Sequence, residues 1–340
     1  MAIINVRSPK YMSIDDGALS YAVLKLFIWT GNRSADFPST ETYNIRKSGT
    51  GTVYFEISEL IRDYLDTTFD GNYSGQAVWV TTSLFAYDSN DVEVADDGES
   101  FIAFDGYNYF EESANVSNPI MITNRNLSVL KDNTFKIPIY TATSPTVRYY
   151  VNGQLSNTVT YLSSNQSDEQ IEYISILNND KITVTDSNGV KTINIDILEE
   201  CKYEPKKVTF VNKYGALQDM YFFKKAVEKM NVTKESYKSN ILSSNYTYSS
   251  SNHVYRDFNV VGKESITLSS GFLSEEYNEV FKQMMLSEKV WITNITEAGE
   301  QVLPINVKTS NINYKTSLND RLVEYTFDFD NSFNVINDIR

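Results

Sequence analysis

Short runs of β-branched and aromatic residues, bounded by turn residues, recur along this 340-residue chain. In the first hundred residues, Tyr21–Trp29, Thr52–Ile57, Ala77–Tyr87 and Phe101–Phe104 read as strands. Ser58–Leu65 reads as a short helix, with Ser58 as its N-cap and Leu60, Ile61, Tyr64 and Leu65 on one face. Between the strands, Asp88–Ser100 reads as an acidic loop or hairpin tip. Met1–Asp16 carries no strong element of its own. It is therefore expected to order against a neighbouring subunit, so that removing residues 2–12 leaves the monomer fold intact.

Two further stretches behave as modules. Val147–Val151 and Val159–Leu162 flank Asn152-Gly153, the pair that type I′ turns favour because both positions need positive φ. Ile182–Thr185 and Val190–Ile195 flank Asp186–Gly189 as a second hairpin. With Phe135–Tyr140 and Ile171–Ile176, this spacing predicts a small sandwich of the immunoglobulin or fibronectin kind. Further on, Lys207–Val211 and Gln218–Lys225 read as extended, and so do 290–295, 302–307 and 322–329. Residues 274–286 form the strongest helical pattern. Ser274 stands as N-cap, and Tyr277, Val280, Phe281, Met284 and Met285 form a core stripe. The expected architecture is mainly β, with two or three β-sandwich-like domains in series and a few short helices. The parts are an N-terminal β-rich domain (1–113), an immunoglobulin-like sandwich (118–198) and a C-terminal β-rich domain with one amphipathic helix (203–340). Pro119 and Pro205 stiffen the short connections between them.

Composition narrows the chemistry. The chain has one histidine, His253, and one cysteine, Cys201. Imidazole and thiolate chemistry is thus almost absent, and no catalytic residue, metal ligand or cofactor is expected. Neither a G-x-S-x-G elbow nor a phosphate-binding glycine loop occurs, and His253 sits in a polar stretch that reads as loop. A pair of glycosidase carboxylates has no local motif to mark it. The acidic run Asp88, Asp91, Glu93, Asp96, Asp97 and Glu99 invites a calcium reading. The EF-hand spacing fails, however, because Glu93 occupies the glycine position, so a solvated hairpin tip is expected. The net charge of −14 opposes binding to nucleic-acid phosphates. No apolar run approaches the roughly 18 residues of a membrane span, and Met1–Arg7 lacks a signal-peptide pattern. No membrane insertion is expected, and folding in a reducing cytoplasm is. Cys201 is expected to be a small buried hydrophobe.

Tyr (24) and Phe (18) are abundant and favour β packing and contact surfaces. Tyr107, Tyr109 and Phe110 are candidate interface or recognition residues, while Phe222 and Phe223 are expected in the core. Three stretches, Asp105–Glu112, Val208–Gly215 and Tyr325–Asp330, sit in an acidic background rich in Asn, Ser, Thr and Tyr. Together they resemble virion structural proteins of tailed bacteriophages, of the tail, baseplate or neck type. The resemblance implies assembly with other virion proteins, homo-oligomers such as rings, location in the particle after assembly in the host cytoplasm, and no catalysis. The competing expectations are a receptor- or carbohydrate-binding module and, third, a polysaccharide-degrading enzyme.

Overall fold

The computed structural model describes residues 2–110, 119–161, 171–242, 245–296, 299–313 and 322–336. The protein is mainly β, with several sheets and two helices among the described residues.

The first part contains β1 (Ala2–Asn5), β2 (Tyr11–Asp16), β3 (Tyr21–Trp29), β4 (Tyr43–Ser48), β5 (Gly51–Glu56), α1 (Ser58–Arg62), β6 (Val78–Tyr87), β7 (Glu93–Asp97) and β8 (Ser100–Phe104). Strands β1, β8, β6, β3 and β4 line up in that order, β7 extends β6, and β2 pairs with β5. Strand β3 alternates cleanly, with Ala22, Leu24, Leu26 and Ile28 buried. Residues 78–80 of β6 and 101–104 of β8 are apolar on both faces, and the reason is visible in the packing. Val78, Val80, Phe101 and Ala103 join the core under β2, β5 and α1. Trp79, Ile102 and Phe104 point the other way, against Met121, Tyr140, Ile171 and Ala216. A sheet covered on both faces needs a continuous apolar run and cannot alternate.

The N-terminal segment corrects the expectation drawn from its weak pattern. Strand β1 pairs in parallel with β8, β2 pairs with β5, and Ile4, Val6, Met12 and Ile14 are buried in the chain's own core. Ser58 is also not a cap. It is the first residue of α1, and its hydroxyl accepts the Lys10 N–H (2.7 Å) and donates to the Ser8 carbonyl (2.8 Å). Ile61 and Leu65 are buried as expected, whereas Tyr64 is exposed. The 88–100 stretch is a hairpin in which β7 pairs with β6, so more of it is strand than the acidic pattern implied.

The middle part contains β9 (Asn126–Leu130), β10 (Phe135–Tyr140), β11 (Thr146–Val151), β12 (Gln154–Thr160), β13 (Ile171–Ile176), β14 (Lys181–Asp186) and β15 (Gly189–Leu198). One sheet runs β12-β11-β14-β15-β9, and β10 pairs with β13. Both expected hairpins form. Asn152 and Gly153 have φ of 51° and 74° between β11 and β12, as the turn requires. The second turn closes with Asp186 opposite Gly189.

The last part contains β16 (Lys206–Val211), β17 (Leu217–Phe222), β18 (Val227–Lys238), β19 (Tyr255–Ser269), β20 (Leu273–Ser274), α2 (Tyr277–Leu286), β21 (Val290–Thr296), β22 (Gly299–Val307), β23 (Leu322–Val323) and β24 (Thr326–Asn331). Seven strands form one sheet in the order β17-β16-β21-β22-β24-β19-β18. Helix α2 starts at Tyr277, not at Ser274, which pairs in β20. Glu276 occupies the N-cap position, and its carboxylate instead accepts the backbone N–H groups of Arg125 (2.8 Å) and Asn126 (3.1 Å). The apolar stripe of α2 is buried as expected, with Met285 packed at its margin. One continuous core joins Ile137, Ile182 and Ile193 of the middle part to Phe210, Phe222, Phe281 and Phe327 of the last. These two parts therefore share a hydrophobic interior across residues 198–203.

Deleting residues 2–12 removes three buried apolar side chains and the β1–β8 ladder. The expected cost is on the order of 5 kcal/mol, visible as a large fall in melting temperature by circular dichroism. A deletion variant that melts like the full chain would contradict this placement of the N-terminus.

Candidate interaction surface

The candidate aromatics Tyr107 and Tyr109 lie in a joint within the chain. Tyr107 N–H donates to the Lys213 carbonyl (2.8 Å), and the Arg7 guanidinium lies 5.1 Å from its ring centroid. Tyr109 donates its hydroxyl to Glu279 of α2 (2.6 Å), with the Lys282 ammonium 3.5 Å from its ring centroid. Burial and the adjoining Glu279 carboxylate push the Tyr109 phenol pKa upward. Gly106 permits the close approach, since a Cβ there would come within 2.6 Å of the Lys213 carbonyl oxygen. Two of the three stretches behind the phage resemblance thus meet here, 105–109 against 212–215. The third packs nearby, where Tyr325 and Phe327 lie against Phe281 of α2. Phe110 alone is fully exposed, and residues 111 and 112 lie outside the described residues.

Ion pairs reinforce the joint. Arg62 pairs with Glu288 and lies 3.8 Å from Asp105, while Lys289 pairs with Asp66 and donates to the Thr67 carbonyl (2.8 Å). A deeper contact ties the loop after α1 to the seven-stranded sheet. Tyr73 donates to the buried Asp219 carboxylate (2.6 Å), and Thr209 donates to it at 2.7 Å. Burial raises the Asp219 pKa, opposed by the nearby Lys207 ammonium. Beside Tyr73 opens a polar cleft of about 440 Å³, which Asn72, Ser74, Lys136, Glu172 and Lys207 also line.

Another surface, without a partner among the described residues, lies in a region that the strand patterns left unassigned. Strands β18 and β19 pair from Val227↔Thr267 out to Lys238↔Tyr255. Only Ser265–Ser269 of β19 is held by β24. Beyond that point the ribbon has no third strand among the described residues, and every residue of β18 is exposed. We call this ribbon the arm. Such two-stranded ribbons are marginally stable alone in water. The arm nevertheless exposes Met230, Val232, Tyr237, Tyr255, Phe258 and Val260. Tyr237 and Phe258 pack edge to face, 5.7 Å apart, and Lys234 pairs with Asp257 (2.6 Å). A bulge near Asn259, which has φ of 53°, twists the outer half. In the tip loop Tyr246 and Tyr248 stand 85% and 72% exposed, beside the exposed His253.

At the arm base the surface is concave. Met230, Ile266, Ile292 and Leu303 line a groove of about 420 Å³, with Glu228 and Glu264 at its edge. A Cβ on Gly262 would meet Met230 Cε at 2.7 Å and Val335 Cβ at 3.5 Å. The C-terminal segment crosses here, where Val335 N–H donates to the Gly262 carbonyl (2.9 Å). The β-branched residues Val260, Val261, Ile266 and Thr267 of β19 were the available signal for this hairpin.

Other sequence expectations resolve simply. Phe222 and Phe223 are buried. Cys201 is exposed, because it follows β15 in the irregular connection to β16 and not in a strand facing a core. The acidic hairpin uses its carboxylates locally: Asp88 accepts the N–H groups of Asn90 and Val92, and Asp91 accepts the Tyr21 hydroxyl. Among the described residues no group of three His, Cys, Asp or Glu side chains is placed to hold a metal ion. No protein-family model matches the chain, and no curated protein matches it.

Asp219 yields a pH prediction with a definite sign. Its folded pKa lies above the unfolded value of about 3.9, so its stabilising contribution is full below that value and is lost as pH rises through the folded pKa. Relative to Asp219→Asn, the wild type should gain melting temperature as pH falls from 7 towards 4. A pH-independent difference between the two melting temperatures would contradict this.

Proposed function

We propose that this chain is a structural component of a tailed-phage particle, of the tail, baseplate or neck, and that it works by protein–protein assembly through the arm. The observation that carries the reading is the unpartnered ribbon. A two-stranded extension with exposed aromatics on a rigid platform is costly to keep in water and stable once covered. Residues 227–238 also present a free strand edge along which a partner's backbone can pair. The chemistry around the arm is that of contact, with tyrosines, amides and scattered charges. The middle part, with sheets of five and two strands, is read as an immunoglobulin-like sandwich serving as a spacer. The sequence resemblance to virion proteins points the same way, as do the acidic composition and the near absence of His and Cys.

A second reading is favoured by one observation. The cleft beside Tyr73 combines an aromatic ring, amide and hydroxyl groups, and both charge signs. That set suits a carbohydrate ligand, as in a receptor-binding module.

Mass spectrometry of purified tailed particles from the host that carries this gene should find the chain in fixed proportion to other structural proteins. Antibodies to residues 245–256 should label one defined zone of incomplete particles and lose that label in complete ones. Particles that lack the chain, together with saturable binding of the isolated protein on a glycan array, would overturn the structural reading in favour of the second.

A further inference from the structure

The two ends of the arm differ in chemistry, and each suits the other. The outer end carries the exposed rings of Tyr237, Tyr255 and Phe258, together with Lys238 and Arg256, which make no ion pair among the described residues. The base carries a groove of mixed character, in which Met230, Ile266, Ile292 and Leu303 lie among polar residues that include Glu228 and Glu264. Glu228 has no cation partner among the described residues, and Glu264 only accepts the Asn331 amide (3.2 Å). Lys229 also lines the groove, which leaves two carboxylates to one ammonium. The whole molecule repeats the contrast. Residues 230–262, outside the groove lysine, hold three Lys or Arg and two Asp or Glu, a net +1, against −15 for the rest of the chain.

We propose that the arm tip of one copy docks in the arm-base groove of a second copy, a head-to-tail contact between identical chains. This rests on the reading of the chain as an assembly protein and names its partner. The tip cannot fill its own groove. The two lie at opposite ends of one hydrogen-bonded ladder, with Glu228 and Tyr237 nine residues apart along β18, so roughly 30 Å separates them. Aromatic side chains packing on Met230, Ile266, Ile292 and Leu303 supply the contact area, and the tip cations meeting the groove carboxylates set register and orientation. Because tip and groove are different surfaces, each copy keeps one free end after binding. The contact therefore propagates, and it closes into a ring when the rotation per copy allows.

The test is a charge swap on the full chain, read by sedimentation velocity across protein concentrations at low ionic strength. Wild type should self-associate, and more weakly as salt rises. A tip variant, Lys238→Glu with Arg256→Glu, and a groove variant, Glu228→Lys with Glu264→Lys, should each associate about tenfold more weakly or worse. All four side chains are exposed or lie at a groove rim, so both variants should melt like wild type. A 1:1 mixture of the two variants should recover association, and so should the chain carrying all four changes. A wild type that stays monomeric at every concentration would overturn the proposal, as would variants that associate like wild type or a mixture that does not recover. A monomer that still takes a fixed place in purified particles would overturn this contact and leave the structural role standing. A monomer absent from particles would overturn both.

Discussion

The arm depends on one grip. Strand β24 holds β19 over five pairs, from Ser265↔Asp330 to Ser269↔Thr326, and among the described residues no other strand of the sheet pairs with the arm on that side. The grip is strong because of what lies beneath it. Phe327 stacks on Phe281 of α2 at 5.1 Å, and Phe222 meets both Phe327 and Phe329 edge to face at about 6 Å. Leu268 and Ile266 complete the buried side of β19. Close-packed aromatic cores resist deformation, so a force on the ribbon is passed to the platform and not absorbed at its root. The root of the ribbon is then fixed, and its direction there is set by the sheet.

A second constraint fixes the first part of the chain against that platform. The loop at Asp105–Tyr109 presses on the turn at Asn212–Gly215 so closely that Gly106 has no room for a side chain. Arg62, Lys289 and Tyr73 then tie the region after β5 to residues near α2 and β17. Exposed ion pairs contribute little each. The specificity comes from the buried Tyr73–Asp219–Thr209 contact, whose loss leaves a carboxylate stranded in the interior. The first part of the chain is thus held in a defined relation to the seven-stranded sheet.

Much of this was legible in the chain. The Asn152-Gly153 and Asp186–Gly189 turns are local chemistry, and local chemistry survives folding. The stripe of α2 and the alternation of β3 were equally plain. What failed did so for tertiary reasons. Ser58 and Ser274 have the right identity for caps, but Ser58 is engaged by Lys10 and Ser8, and Ser274 is drawn into β20. Ala2–Asp16 reads weakly because its strands gain their stability from partners some 40 to 100 residues away, β5 and β8. Tyr107 and Tyr109 read as interface aromatics, and within the chain Tyr107 meets Lys213 and Arg7 while Tyr109 meets Glu279 and Lys282 of α2. The arm was the costliest omission. Its strand β18 has no buried face, so its residues follow no inside–outside rule that a pattern can detect.

The claim at the centre is that the arm is bare in the free chain and covered on assembly. Hydrogen–deuterium exchange tests it most directly, comparing dilute monomer with the chain inside purified particles. The account predicts that amides in 229–238 and 255–263 exchange quickly in the monomer and are strongly protected in the particle, while the core strands β16 and β17 change little. Equal exchange of the arm in both states would contradict it.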